Sequence, residues 1–142
     1  MTTPVLARDP ALLSRARLWS GRVLSALPVL ALLMSAGMKL SHSGQVVDLF
    51  SGHLGYPAPL LPALAMLELA CTVLYVVPRT SVLGAVLLTG YLGGAIATHV
   101  RVGDAFVAPL VLGLLVWAGL YLREPGVRVL VPIRMPRRAH QS

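Results

Sequence analysis

Residues 59–77, PLLPALAMLELACTVLYVV, decide how this chain is read. A bilayer hydrocarbon core of about 30 Å takes roughly 20 residues of helix, so the stretch predicts a membrane-spanning helix. Its one ionisable carboxylate is Glu68, near the middle of the run. A charge at the bilayer centre costs about 2.5–3.5 kcal/mol on insertion scales. A chain that keeps one there pairs it or uses it.

The rest of the chain agrees with that reading. Of 142 residues, 56% are hydrophobic and 12% charged, against about 25% charged in soluble domains. Three further stretches are long enough to span, 22–40, 81–99 and 105–122. None shows the two-residue alternation of a transmembrane barrel. The fold class expected is all-α, an integral membrane four-helix up-down bundle. Arg15, Arg17 and Arg22 ahead of the first span resemble a signal peptide, but Met34-Ser35-Ala36 is a poor cleavage site, so a retained helix is expected. Pro28 is expected to kink that helix.

Orientation comes from lysine and arginine. Arg8, Arg15, Arg17, Arg22, Arg79, Arg123, Arg128, Arg134, Arg137 and Arg138 fall on one side of the spans, Lys39 and Arg101 on the other. The positive-inside rule then puts both termini in the cytoplasm. The formal charge of +7 is mostly topology. With no basic cluster interleaved with stacking aromatics, nucleic acid is not an expected partner. The segments expected are an interfacial N-terminal piece, 1–21, the bundle, 22–122, and a basic cytoplasmic tail, 123–142. Residues 45–50 in the long loop before the second span read as a short amphipathic helix. Gly90, Gly94 and Thr98, at i, i+4 and i+8, read as a small-residue packing face.

Threading the spans antiparallel puts the remaining polar residues at one depth. Lys39 and His42 end the first span, and Glu68 lies about 13 Å in from the same boundary. His99 ends the third span there, with Tyr91 about 12 Å deeper. Arg101 and Asp104 complete the short outer loop. Helical spacing groups Ser35, Lys39 and His42 on one face, Glu68, Cys71, Thr72 and Tyr75 on a second, and Tyr91, Ala95 and His99 on a third. The arrangement predicts a polar cavity between the first three spans, opening outward, with the fourth as packing. Glu68, His99 and Lys39 are the candidate catalytic residues. His42, Tyr91, Thr72, Tyr75, Arg101 and Asp104 are the candidate substrate-binding residues. Lys39 could instead snorkel to the headgroups. Glu68 is then either paired, with Lys39 the nearest cation, or protonated.

Signatures of cofactors are weak. A b-type haem needs two histidines on facing helices, and only His99 and His42 are placed near the right end. Glu68, His99 and His42 follow no metal-ligand spacing, and no flavin fingerprint or phosphate loop occurs. The single cysteine, Cys71, excludes an intrachain disulfide or a Cys-x-x-Cys relay.

Four short motifs resemble those of the DoxX-like membrane proteins: Ala36-Gly37-Met38-Lys39-Leu40, Leu67-Glu68-Leu69, Ala97-Thr98-His99 and Arg123-Glu124-Pro125. Together they cover roughly residues 22–128. The resemblance implies a four-helix protein of the bacterial inner membrane, associated with redox chemistry. Founding members of that family are a small subunit of a thiosulfate:quinone oxidoreductase. Three functions stay open. One is a component of a quinone-linked system with a pocket for a lipophilic small molecule, served by a soluble or membrane redox partner. A second is an enzyme doing acid–base chemistry on a lipid or terpenoid. The third is a structural membrane adaptor in which Glu68 and Lys39 clamp the bundle. A homo-oligomer is compatible with each.

Overall fold

The computed structural model describes residues 10–41 and 43–130, and every regular element among them is helical. Helix α1, Pro10–Ser41, has 32 residues, about 48 Å at 1.5 Å per residue. It starts well before the first apolar span, so the part of the expected interfacial segment from Pro10 onward continues this helix rather than forming its own element. Pro28 lies inside α1 with its ring buried.

The long loop is mostly helical. Gly44–Val47 forms α2, which runs into a π-helical turn, Asp48–His53. There the Leu54 N–H reaches the Leu49 carbonyl at 2.9 Å, five residues back. Gly55 has φ 72°, a conformation that side chains with a Cβ resist. It turns the chain toward Tyr56. A 3₁₀ turn, Ala58–Leu60, leads into α3, Leu61–Val76. Pro62 sits in the first turn, where its missing N–H breaks no helical bond.

Helix α3 is joined by a 3₁₀ turn, Pro78–Thr80, to α4, Ser81–Val102. Gly103, at φ 76°, ends α4. Its N–H bonds the Val100 carbonyl at 3.2 Å, and the Asp104 N–H bonds the His99 carbonyl at 2.9 Å, the paired pattern of a glycine-terminated helix. Arg101, expected in the loop, therefore belongs to the last turn of α4. Val107–Arg123 forms α5 and Pro125–Leu130 forms α6.

Helix α1 packs against α3 and α5, and α4 packs against the same two. One end of the assembly is tight. A Cβ at Gly84 would fall on the backbone of Leu74 and Tyr75, and one at Gly119 would fall on Ser25. Tyr75, with no exposed surface, holds its hydroxyl 2.9 Å from both Ser25 Oγ and the Val116 carbonyl. A carbonyl only accepts, so Tyr75 donates to Val116 and takes the Ser25 proton. Arg123 donates to the Tyr75 carbonyl at 2.7 Å and lies 4.6 Å from that ring's centre.

The opposite end is wide. Added Cβ atoms at Gly90 and Gly94 would meet nothing within 4 Å. The glycine stripe expected to be a packing face is thus open, and the close helix approach is made at Gly84 and Gly119 instead.

The surface is apolar and the interior holds polar groups. Leu30, Met34, Met66 and Leu114 are exposed, while Ser25, Lys39, Glu68, Thr72, Ser81 and Thr98 are buried. Arg15–Ser41, Ala58–Val76 and Pro78–Val102 are long and apolar enough to cross a membrane. Helix α5 is apolar too, and its 17 residues extend about 26 Å.

Candidate functional site

The wide end encloses a cavity of about 300 Å³. Most of its wall is apolar: Leu32 of α1, Leu64 of α3, Leu92 and Ala95 of α4, and Ala108, Pro109 and Leu112 of α5. The fourth spanning stretch was expected to serve only as packing. It supplies one wall of the cavity, because α5 starts directly after the Gly103 turn and its first two turns face α4.

The polar part of the wall is concentrated in Ser35, Lys39, Glu68, Tyr91, Thr98, His99 and Tyr56. Lys39 Nζ lies 2.9 Å from Glu68 Oε2 and donates to Ser35 Oγ at 2.5 Å. Ser35 in turn donates to Glu68 Oε2 at 3.4 Å. Lys39 and Glu68 are 6% and 1% exposed, so Lys39 does not reach out to headgroups. It turns inward because α1 places Ser35 and Lys39 one turn apart on the face that meets α3. The Phe50 ring from the long loop lies 5.4 Å from the same ammonium, within cation–π range.

On α4, His99 Nδ1 is 2.8 Å from the Ala95 carbonyl. The carbonyl only accepts, so Nδ1 carries a proton, and in the neutral ring Nε2 is left as an acceptor. Thr98 donates to the Gly94 carbonyl at 2.9 Å. Its proton is thereby committed, and Tyr56, 2.7 Å away, must donate to the Thr98 oxygen. Tyr91 lies close enough to feel the Glu68 carboxylate.

The segment 44–57 closes this end as a strap. Arg101 donates to the Leu54 carbonyl, His53 and Asp104 form an exposed pair at 2.9 Å, and Tyr56 is tied to Thr98. All three ties go to the last turns of α4 or to the residue after its glycine cap. The stretch 45–50, expected to form a short amphipathic helix along the surface, is helical and turns Phe50 into the cavity wall, where Leu54 and Tyr56 from farther along the loop join it.

Of the residues singled out from sequence, Lys39, Glu68, Tyr91 and His99 come together around the cavity. Thr72 and Tyr75 do not. Thr72 donates to the Glu68 carbonyl of its own helix at 2.7 Å, and Tyr75 lies at the tight end, about 10 Å along α3 from Glu68. They share a helical face with Glu68 but not its depth. Arg101 and Asp104 tie down the strap and do not line the cavity. His42 lies outside the described residues. Ser35, Tyr56, Thr98 and Phe50 complete the wall and were not among the candidates. Ser35 carried a signal, its i, i+4 spacing from Lys39. Thr98 was visible but read as a packing residue, Phe50 closed the amphipathic stretch read as lying on the surface, and Tyr56 sat in a loop without a periodic pattern.

Among the described residues, no three His, Cys, Asp or Glu side chains gather into a metal-binding set. Cys71 is buried in the apolar core with Leu88 and Leu92. Trp117 donates its indole N–H to Thr89 at 2.8 Å, a bond from α5 to α4.

The family model described as the DoxX-like family matches residues 23–119. No curated protein and no solved structure matches the chain. The matched span contains Lys39, Glu68, Tyr91 and His99, with the rest of the cavity wall.

Proposed function

The chain belongs to the DoxX-like family and is a multi-pass membrane protein, and from that premise we propose that it binds a lipophilic small molecule in the cavity at its wide end. The observation that carries this reading is the buried Lys39–Glu68 pair set in the wall of an otherwise apolar cavity. Small-molecule sites are mostly apolar hollows with a few placed polar groups that fix orientation. About 300 Å³ is at the small end of that range, enough for a ring-sized head with its tail left in lipid.

In this reading the four long helices cross the membrane up-down-up-down, with both termini in the cytoplasm, and the cavity faces outward. The arginine distribution supports it. A head of the quinone–hydroquinone class is the favoured ligand, which would make the protein a component of a redox-linked system with a separate redox partner. Lys39 would hold a ring oxygen, and the apolar wall would hold the ring.

The test is extraction in mild detergent followed by mass spectrometry of bound lipophilic molecules, with titration of a decyl-substituted benzoquinone and of its hydroquinone. Near-stoichiometric native ligand or saturable binding of either form is expected, and a Lys39→Met/Glu68→Leu double variant should lose it. Purified protein that carries no lipophilic molecule and shows no saturable binding would overturn the reading.

A second reading, acid–base chemistry on a lipid or terpenoid, is favoured by His99, whose Nε2 is a free acceptor on the wall that also carries Glu68. Here Glu68 and His99 would be the proton-transfer pair.

A further inference from the structure

The hydrogens around the cavity are assigned almost completely by their partners, and they leave an imbalance. Thr98 gives its proton to the Gly94 carbonyl, so Tyr56 gives its own to Thr98 and keeps only oxygen lone pairs. His99 gives its Nδ1 proton to Ala95, so the neutral ring keeps a lone pair at Nε2. Glu68 accepts from Lys39 and Ser35 through Oε2 alone, which leaves Oε1 with acceptor capacity. Tyr91 lines the same cavity, and its hydroxyl can donate as well as accept. On the donor side there also remains one N–H of Lys39, facing the Phe50 ring. The acceptors Tyr56 O, His99 Nε2 and Glu68 Oε1 therefore outnumber the donors, the Lys39 N–H and the Tyr91 hydroxyl.

We propose that the cavity selects ligands whose polar head donates a hydrogen bond, an alcohol, phenol or hydroquinone, over the ether or carbonyl form of the same skeleton. The inference rests on the lipophilic-pocket reading and specifies which chemistry that pocket takes. A hydroxyl head can give its proton to His99 Nε2 or Tyr56 and accept the remaining Lys39 N–H. A quinone carbonyl or methyl ether can only accept, so it satisfies Lys39 and leaves the other wall atoms facing a group that cannot pair with them. Sites built to receive a hydroxyl discriminate strongly against analogues without it, because their buried polar atoms are then left unpaired.

A matched pair without redox chemistry gives the cleanest test. Binding of para-heptylphenol and para-heptylanisole to the full-length protein in nanodiscs is measured by calorimetric titration. The phenol should bind about tenfold more tightly, the effect of one hydrogen bond. In His99→Leu the ratio should fall toward unity through loss of phenol affinity, with the anisole little changed. Equal binding of the two, or tighter binding of the anisole, by the wild-type protein overturns the proposal while leaving the lipophilic pocket intact. Binding of neither compound overturns both. The wild-type comparison decides the matter even if His99→Leu fails to fold.

Discussion

Removing either member of the Lys39–Glu68 pair leaves the other as an uncompensated charge in a buried site. Such single losses cost about 3–5 kcal/mol, whereas replacing both partners by apolar residues of similar size is often neutral. Lys39→Met and Glu68→Leu should each lower the unfolding temperature in detergent sharply. The Lys39→Met/Glu68→Leu double variant should return close to wild type. The swapped pair, Lys39→Glu with Glu68→Lys, adds information. If it restores both stability and ligand binding, the pair is a clamp and no more. Restored stability with binding still lost assigns the charges an oriented role in the cavity. This much was legible in the sequence, because a lone carboxylate and a lone lysine at matching depths on antiparallel spans have few other partners. The proton assignments of Tyr56, Thr98 and His99 were not legible, since each depends on a carbonyl that only the folded backbone brings near.

At the scale of the helix, the glycines separate into two kinds. Gly84 lets α4 touch the backbone of α3 beside Tyr75, and an added Cβ there has no flexible neighbour to displace. Gly84→Ala should destabilise the protein by about 1–3 kcal/mol through overpacking. Gly90 faces open space, and Gly90→Ala should leave stability unchanged or raise it by about 0.5–1 kcal/mol through the lower backbone entropy of alanine. Thermal unfolding of the two purified variants in one detergent checks both. Equal losses would mean that the Gly90 face is a contact surface after all. Sequence spacing favoured Gly90 and Gly94 as the packing face because a small-residue repeat looks the same whether a helix or a void lies opposite. Gly84 is buried against α3 while Gly90 and Gly94 are exposed on another side of α4, and which side of a helix meets a neighbour is decided only when the helices pack.

Over the whole molecule, the predicted orientation is open to direct labelling. Asp48 and Arg79 are both exposed and lie on opposite ends of the structure. In a Cys71→Ala background, Asp48→Cys should react with a membrane-impermeant maleimide on intact cells. Arg79→Cys should react only after permeabilisation. The reverse pattern would invert the proposed orientation, and labelling of both from one side would rule out the up-down arrangement.

What the sequence determined by itself was the class of solvent and the apolar stretches that become long helices. Hydropathy over some 20 residues and the placement of twelve cationic residues are sums along the chain, and they survive any detail of packing. Helical periodicity likewise put Lys39, Glu68, Tyr91 and His99 on inward faces near one end. The tertiary structure alone decided which polar residues reach the cavity. It withdrew Thr72 and Tyr75 into bonds with Glu68, Ser25 and Val116. It also brought in Tyr56 and Phe50 on a strap held by Arg101 and Asp104. The physical reason is that a hydrogen bond forms or fails within about 3.5 Å. Burying a polar group leaves no alternative to forming one, and distances on that scale between segments far apart in the chain are fixed only when the helices have packed.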